Sequence, residues 1–178
     1  MFILPLDKKI LLFVSDTIEN TRKGFDLLLD AIKMCNSNNV HLCAIGKKSD
    51  KIDYPENISF IGKIKDEKLL ALAYSAADAF DLPSIEDNLP NVMLESLACG
   101  IPVISFPVGG MKEIIETGIN GIISKEISAR SLADSIQSFV HDELTFSPES
   151  IRQSAMRNFD PEAQTFRYLK LYHKLLKK

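Results

Sequence analysis

The chain has 178 residues, 46% of them hydrophobic and 25% charged, which suits one globular α/β domain with a sizeable core. A formal charge of −3 excludes a global field that would attract nucleic acid, so an anionic ligand has to be met by locally placed basic groups. Cys35, Cys43 and Cys99 show neither CxxC nor metal-like spacing and read as reduced core thiols of a cytoplasmic protein, while the opening MFILPL is too short for a secretory apolar region and no later run reaches bilayer length.

Residues 9–15 (KILLFVS) form a continuous apolar run, the pattern of a strand buried on both faces, and a polar loop carries it to Arg22, Lys23 and Gly24. Phe25, Leu28, Leu29 and Ile32 recur at i, i+3, i+4 and i+7, which predicts an amphipathic helix. Second and third strands are expected over 40–45 and 58–61, closed by Gly46 and Gly62. Next come a helix over 66–75, a strand over 79–82 closed by Pro83 and Ser84, a helix over 91–99 stopped by Gly100, and a strand over 101–106. Gly109 and Gly110 turn the chain into a short helix through Ile114 and Ile115, and 121–123 is a last strand. The tail reads as helices over 128–141, over 148–157 and from Pro161 to the end. In that last helix Phe166, Leu169, Leu171, Tyr172 and Leu175 make an apolar side, and Lys170, Lys174, Lys177 and Lys178 a basic one. A docking helix with a solvated face is the reading, with membrane contact as the alternative.

Strands alternating with helices over short loops imply an α/β fold: a Rossmann-like parallel sheet with helices on both faces, right-handed crossovers and a helical C-terminal tail. In such a sheet ligands bind outside the carboxyl ends of the strands. Three loops qualify: 16–24, 83–91 and 107–111, each running into a helix N-terminus that favours an anion. A phosphate-bearing ligand is therefore expected. Arg22 can grip a phosphate with two parallel bonds and Lys23 can act as a point charge, or the two form a solvated basic pair. In the second loop Asp87 stands eight positions before Glu95. Glu95 lies among Val92, Met93, Leu94, Leu97 and Ala98, where an unpaired carboxylate would be costly, so it is expected to meet a hydroxyl or a cation. A ribose offers two adjacent hydroxyls to Glu95, and Asp87 is placed for those of a hexose. The plainer alternative makes Asp87 or Asn88 an N-cap and Glu95 a surface residue.

The run PSIEDNLPNVMLESLACGIPVISFPVGGMKEIIETGINGIIS resembles the core signature of the retaining glycosyltransferases of the GT-B fold, family 4, often called glycosyl transferases group 1. The resemblance extends from about Lys9 to the final helices and is to the C-terminal, donor-binding domain. It implies that Glu95 binds the nucleotide ribose and that Asp87 faces the donor sugar and its leaving phosphate as the catalytic carboxylate. Counting back eight from Glu95 lands on Asp87, a shorter acid than the family's glutamate, with Glu86 able to take its place if the loop bulges. Lys23 matches the family's phosphate-binding lysine, whereas Ser15 and Asp16 stand where the family carries an arginine, a role that Arg22 could fill. The backbone of Leu89, Asn91 and Val92 is expected against the sugar or phosphate, and Gly62, Lys63 and Ile64 resemble the segment whose backbone reads the base. Gly109, Gly110 and Glu113 match a Gly-Gly-x-x-Glu stretch in which small residues permit close approach of chain or ligand.

The activity implied is transfer of a sugar, with retention, from a UDP- or GDP-linked donor to a polysaccharide, lipopolysaccharide or glycolipid acceptor of the cell envelope. No cofactor or metal is expected, and His41, His141 and His173 have no metal-like spacing. The chain is read as a single nucleotide-sugar-binding domain, 1–178, whose partner is a missing N-terminal acceptor domain, in the cytoplasm or at the inner face of the membrane. On that reading the isolated chain is inactive. The alternatives are a non-catalytic nucleotide-sugar-binding module or subunit of a split transferase, a sugar-nucleotide epimerase of the same fold, and a flavodoxin-like domain with an unrelated ligand.

Overall fold

A computed structural model of the chain describes residues 4–35, 39–48 and 54–177. The first three residues of MFILPL and Lys178 lie outside the described residues. Six parallel strands, β1 (Lys9–Thr17), β2 (Val40–Lys47), β3 (Ile58–Gly62), β4 (Ala79–Leu82), β5 (Val103–Ser105) and β6 (Gly121–Ile123), form one sheet in the order β3-β2-β1-β4-β5-β6. The chain winds outward from β1 in one direction and from β4 in the other, so the topological switch point lies between these two strands.

β1 shows why the apolar runs become central strands. Leu11 and Phe13 point to one face of the sheet, Ile10 and Leu12 to the other, and all four are buried. Burying each such side chain contributes about 1.5–3 kcal/mol. Helices α1 (Phe25–Met34) and α5 (Ala129–Val140) cover the first face; α2 (Glu67–Ser75), α3 (Asn91–Ala98) and α6 (Pro148–Phe159) cover the second, with the short α4 (Met111–Ile114) beside them. In α1 the buried stripe is Phe25, Leu28, Ala31 and Ile32. Leu29, expected in that stripe, is only half-buried, and Ala31 is buried instead. β5 is shorter than the apolar run 101–106. Pro102 has no N–H for the ladder and serves it only by accepting from Phe80 N–H at 2.9 Å.

The last helix, α7 (Pro161–Leu176), begins on the Asp160 side chain, which accepts from the amides of Glu162 and Ala163. None of its residues is buried, and Phe166, Leu169, Leu171, Tyr172 and Leu175 are 48–69% exposed. The docking face foreseen for this helix therefore meets little beyond α6 among the described residues. No helix among the described residues is long and apolar enough to cross a membrane. Cys35 and Cys43 are buried and Cys99 half-buried, all as free thiols, and burial pushes Cys35 and Cys43 up to about 11. Cys99 thus departs from the expectation of a core thiol. It sits at the C-cap of α3, at the edge of the helix layer.

Candidate functional site

The loops after β1, β4 and β5 meet at the C-terminal ends of the strands and are joined by backbone contacts. Asn20 opens a single 3-10 turn, Thr21–Lys23, by accepting from Arg22 N–H, and Gly24 closes it with φ of +65°. A Cβ at Gly24 would lie 1.9 Å from the Pro83 carbonyl oxygen, so only glycine allows the β1 loop to touch the β4 loop here. Next to this contact Ile85 N–H donates to Arg22 O at 2.9 Å. On the other side Gly110 N–H donates to Asn88 O at 2.7 Å, and a Cβ at Gly109 would lie 2.1 Å from Asp87 O. The Gly-Gly pair thus permits close approach of chain, and Gly109 also makes the turn into α4 with φ of +50°. The exposed Glu113 lies in the first turn of α4.

Arg22, Lys23, Glu86, Asp87 and Asn88 line a cavity of about 350 Å³ between the first two loops. Asp87 holds Lys23: Nζ donates to Oδ2 at 2.7 Å, with the two side chains 26% and 19% exposed. The other carboxylate oxygen accepts from Asn88 N–H at 3.0 Å. Asp87 and Asn88 do not cap α3, because Pro90 occupies the N-cap and makes no side-chain cap bond. The first-turn residues of α3 are thus left without a side-chain cap at the loop, with Leu89 and Asn91 exposed and Val92 half-buried beside the core. Arg22 and Glu86 are exposed at the cavity rim.

Glu95 lies one turn into α3. Contrary to the expectation of an apolar setting, it is exposed. Its Oε2 accepts from the Tyr74 hydroxyl at 3.0 Å. Tyr74 belongs to α2, is 1% exposed and packs edge-on against Phe80 with ring centroids 5.5 Å apart. Burial, and then the Glu95 charge, push the Tyr74 hydroxyl far above the usual phenol range, so it stays protonated and donates. Helical spacing within α3 could not reveal this partner, 21 residues back in another element.

A third group sits at the ends of β1 and β3. Gly62 ends β3 with open space where a Cβ would stand, Ile64 is half-buried, and the exposed Lys63 donates to Asp16 across the loops. The hydrogen bond from Lys63, and then its charge, hold the Asp16 carboxyl below the usual carboxylate range. Where the resemblance looks for an arginine, the chain thus places an aspartate that captures a lysine from the loop after β3. His41 accepts or donates at 2.8 Å to Ser59 on β3 and is packed at a strand. Among the described residues no three His, Cys, Asp or Glu side chains gather as metal ligands. Beneath the loops, Ser84 and Ser105 are fully buried hydroxyls without a hydrogen-bond partner among the described residues.

A doubly wound parallel sheet with cationic, glycine-hinged loops at its switch point defines a Rossmann-like domain with its ligand cleft at the strand ends. This chain belongs to the family Glycosyl transferases group 1, whose profile matches residues 2–158. An uncharacterised glycosyltransferase of Methanocaldococcus jannaschii is 33% identical over 127 residues, which make up 65% of this chain and 32% of that protein. Sucrose-phosphate synthase from Thermosynechococcus elongatus superposes with a TM-score of 0.78 at 26% identity, over 98% of this chain and 47% of that one. Anabaena HepE, solved in complex with UDP-glucose, superposes with a TM-score of 0.75 at 21% identity, over 97% of this chain and 50% of that one. The chain spans about a third of the length of the first of these and about half of the other two.

Proposed function

We propose that this chain is the C-terminal, donor-binding domain of a retaining family 4 glycosyltransferase of the GT-B fold. It would take a UDP- or GDP-linked sugar and serve transfer to a hydroxyl of a polysaccharide, lipopolysaccharide or glycolipid acceptor. The observation that carries this reading is that Arg22 and Lys23 line one cavity with Glu86, Asp87 and Asn88 of the loop that leads into α3, whose N-terminus has no side-chain cap. Breaking the bond between the anomeric carbon and the diphosphate leaves negative charge on the departing group. Cations and helix amides brought to that position stabilise the charge as it develops. Glu95, aimed by Tyr74 through one oxygen, keeps the other for a ribose hydroxyl. Asp87 stands at the tip of the loop for the sugar, and the backbone of Gly62, Lys63 and Ile64 for the base. Arg22, exposed at the cavity rim, is placed to add a second grip on the diphosphate.

The acceptor site is assigned to an N-terminal half, in keeping with the share of the related chains that this one spans. The reaction is placed in the cytoplasm, at the inner membrane face where the acceptor is lipid-linked. It is proposed to need no metal.

Thermal-shift and calorimetric titration of the 178-residue chain with UDP, GDP, ADP and their sugars tests the reading. A ligand at a hundred times its Kd stabilises the folded state by about 2.7 kcal/mol. One base is expected to give that shift with or without EDTA, and Glu95→Ala to remove it. Absence of a shift with every nucleotide overturns the donor reading, and an unchanged shift in Glu95→Ala overturns the ribose assignment. Acceptor-dependent transfer by the 178-residue chain alone would overturn the assignment of the acceptor site elsewhere.

A further inference from the structure

We infer that Asp87 competes with the donor's diphosphate for Lys23, so that the empty cleft is held self-neutralised and a bare nucleoside diphosphate is bound weakly enough to leave. The inference rests on the donor reading above and concerns the resting state of that same site. Three observations carry it. Lys23 Nζ is 2.7 Å from Asp87 Oδ2, and both side chains are mostly shielded from water, so the pair is screened less than a surface one. The two residues line the same cavity as Arg22, so an anion entering it meets a lysine already occupied and a carboxylate of its own sign. The two partners also differ in freedom. Asp87 is tied through Asn88 N–H and sits where Gly109 and Gly110 press against its loop backbone.

Lys23 reaches Asp87 on a flexible four-carbon stem from a single 3-10 turn. The aspartate is therefore the fixed member of the pair and the ammonium the one that exchanges partners. When a sugar diphosphate enters, Lys23 turns to the phosphates and Asp87 is released to accept from sugar hydroxyls. When the sugar has gone, nothing occupies Asp87, and it takes Lys23 back from the nucleoside diphosphate. No bond forms or breaks in this step; one ion pair replaces another.

Calorimetric titration of the chain with the nucleoside diphosphate that stabilises it, with inorganic pyrophosphate and with the matching nucleotide sugar tests this. Asp87→Asn removes the charge but keeps an acceptor for Asn88 N–H. It is expected to tighten pyrophosphate and nucleoside diphosphate by about tenfold, the effect of losing about 1.4 kcal/mol of competition. The nucleotide sugar should gain less, since it loses its contact with the carboxylate. Lys23→Met should weaken all three, and in the Lys23→Met background Asp87→Asn should bring a clearly smaller gain, that of lost repulsion alone. Asp87→Ser serves as a second removal of the charge, and its melting curve shows whether the loop survives.

Unchanged or weaker diphosphate binding in both Asp87 variants overturns the inference, as does a gain that is undiminished without Lys23. Either result with normal nucleotide binding by the unmodified chain leaves the donor reading standing. Failure of the unmodified chain to bind any nucleotide overturns the donor reading itself.

Discussion

Asp81 is the residue whose replacement should change the stability of this domain most simply. It lies in β4 opposite Ile104 of β5, is 0% exposed, and neither carboxyl oxygen has a hydrogen-bond partner among the described residues. Burial alone raises its carboxyl well above the usual range. The native state therefore keeps a proton that the unfolded chain releases above about pH 3.9. With more protons bound when folded, stability falls as pH rises from there toward the folded value, by up to about 1.4 kcal/mol per pH unit. At acid pH both states hold the proton, and the remaining cost is that of a neutral polar group without a partner, about 1–3 kcal/mol. Asp81→Val removes both costs and suits a strand. We expect it to stabilise the chain at pH 7 by at least that 1–3 kcal/mol, which is about 3–9 °C in Tm for a domain of this size. Asp81→Asn cannot ionise, so over pH 4 to 8 it should match the parent at the acid end and exceed it increasingly as pH rises toward the parent's folded value. Thermal unfolding followed by circular dichroism across that range measures both. A Tm difference between Asp81→Asn and the parent that does not vary with pH would refute the argument, as would a less stable Asp81→Val at pH 7.

Other predictions concern the site and the tail. Tyr74→Phe keeps the packing on Phe80 but frees Glu95 to wander; nucleotide affinity should fall by about three- to tenfold, given roughly 0.7–1.5 kcal/mol for such a bond. The loss should be absent for pyrophosphate, and an equal loss for pyrophosphate would show that Tyr74 acts only on the fold. Gly24→Ala puts a methyl group into the Pro83 carbonyl at a left-handed φ, and urea unfolding should show a loss of about 2 kcal/mol or more together with a weaker nucleotide shift. Removing 161–178 deletes a helix with no buried residue, so Tm should move by no more than about 2 °C, below the effect of 1 kcal/mol for a domain of this size. A larger fall would show that α7 is packed more firmly than its exposure indicates.

The fold was largely legible from the chain because its signals are local. Apolar runs such as 9–15 mark doubly buried strands, and the glycines and prolines after them mark the turns; both depend only on neighbours in sequence. The meeting of three loops at the strand ends followed from the same alternation, since a doubly wound sheet gathers them there whatever the side chains. What escaped is what depends on distant pairing. Lys23 and Asp87 stand 64 residues apart, Asp16 and Lys63 47 apart, and no periodicity links them. Glu95 was read either as a carboxylate among apolar neighbours, because Val92, Met93 and Leu94 precede it, or as a surface residue of the helix, and the second setting is the one found. The helix turns those residues partly or wholly toward the core and Glu95 out to solvent, where Tyr74 meets it.

That difference bears on how the cleft works. Had Glu95 been buried, its ionisation would have needed a ligand or a cation to offset desolvation, and the empty site would have been strained. Exposed and held by a protonated phenol, Glu95 is already aimed before any ligand arrives. Desolvation falls instead on the Lys23–Asp87 pair, the more shielded ion pair of the cleft, where two opposite charges offset each other until a third competes. The two acids eight apart in sequence therefore differ in kind: Glu95 is held by a hydroxyl and Asp87 by an ammonium, so on the donor reading proposed above Asp87 exchanges its partner before it acts on a sugar.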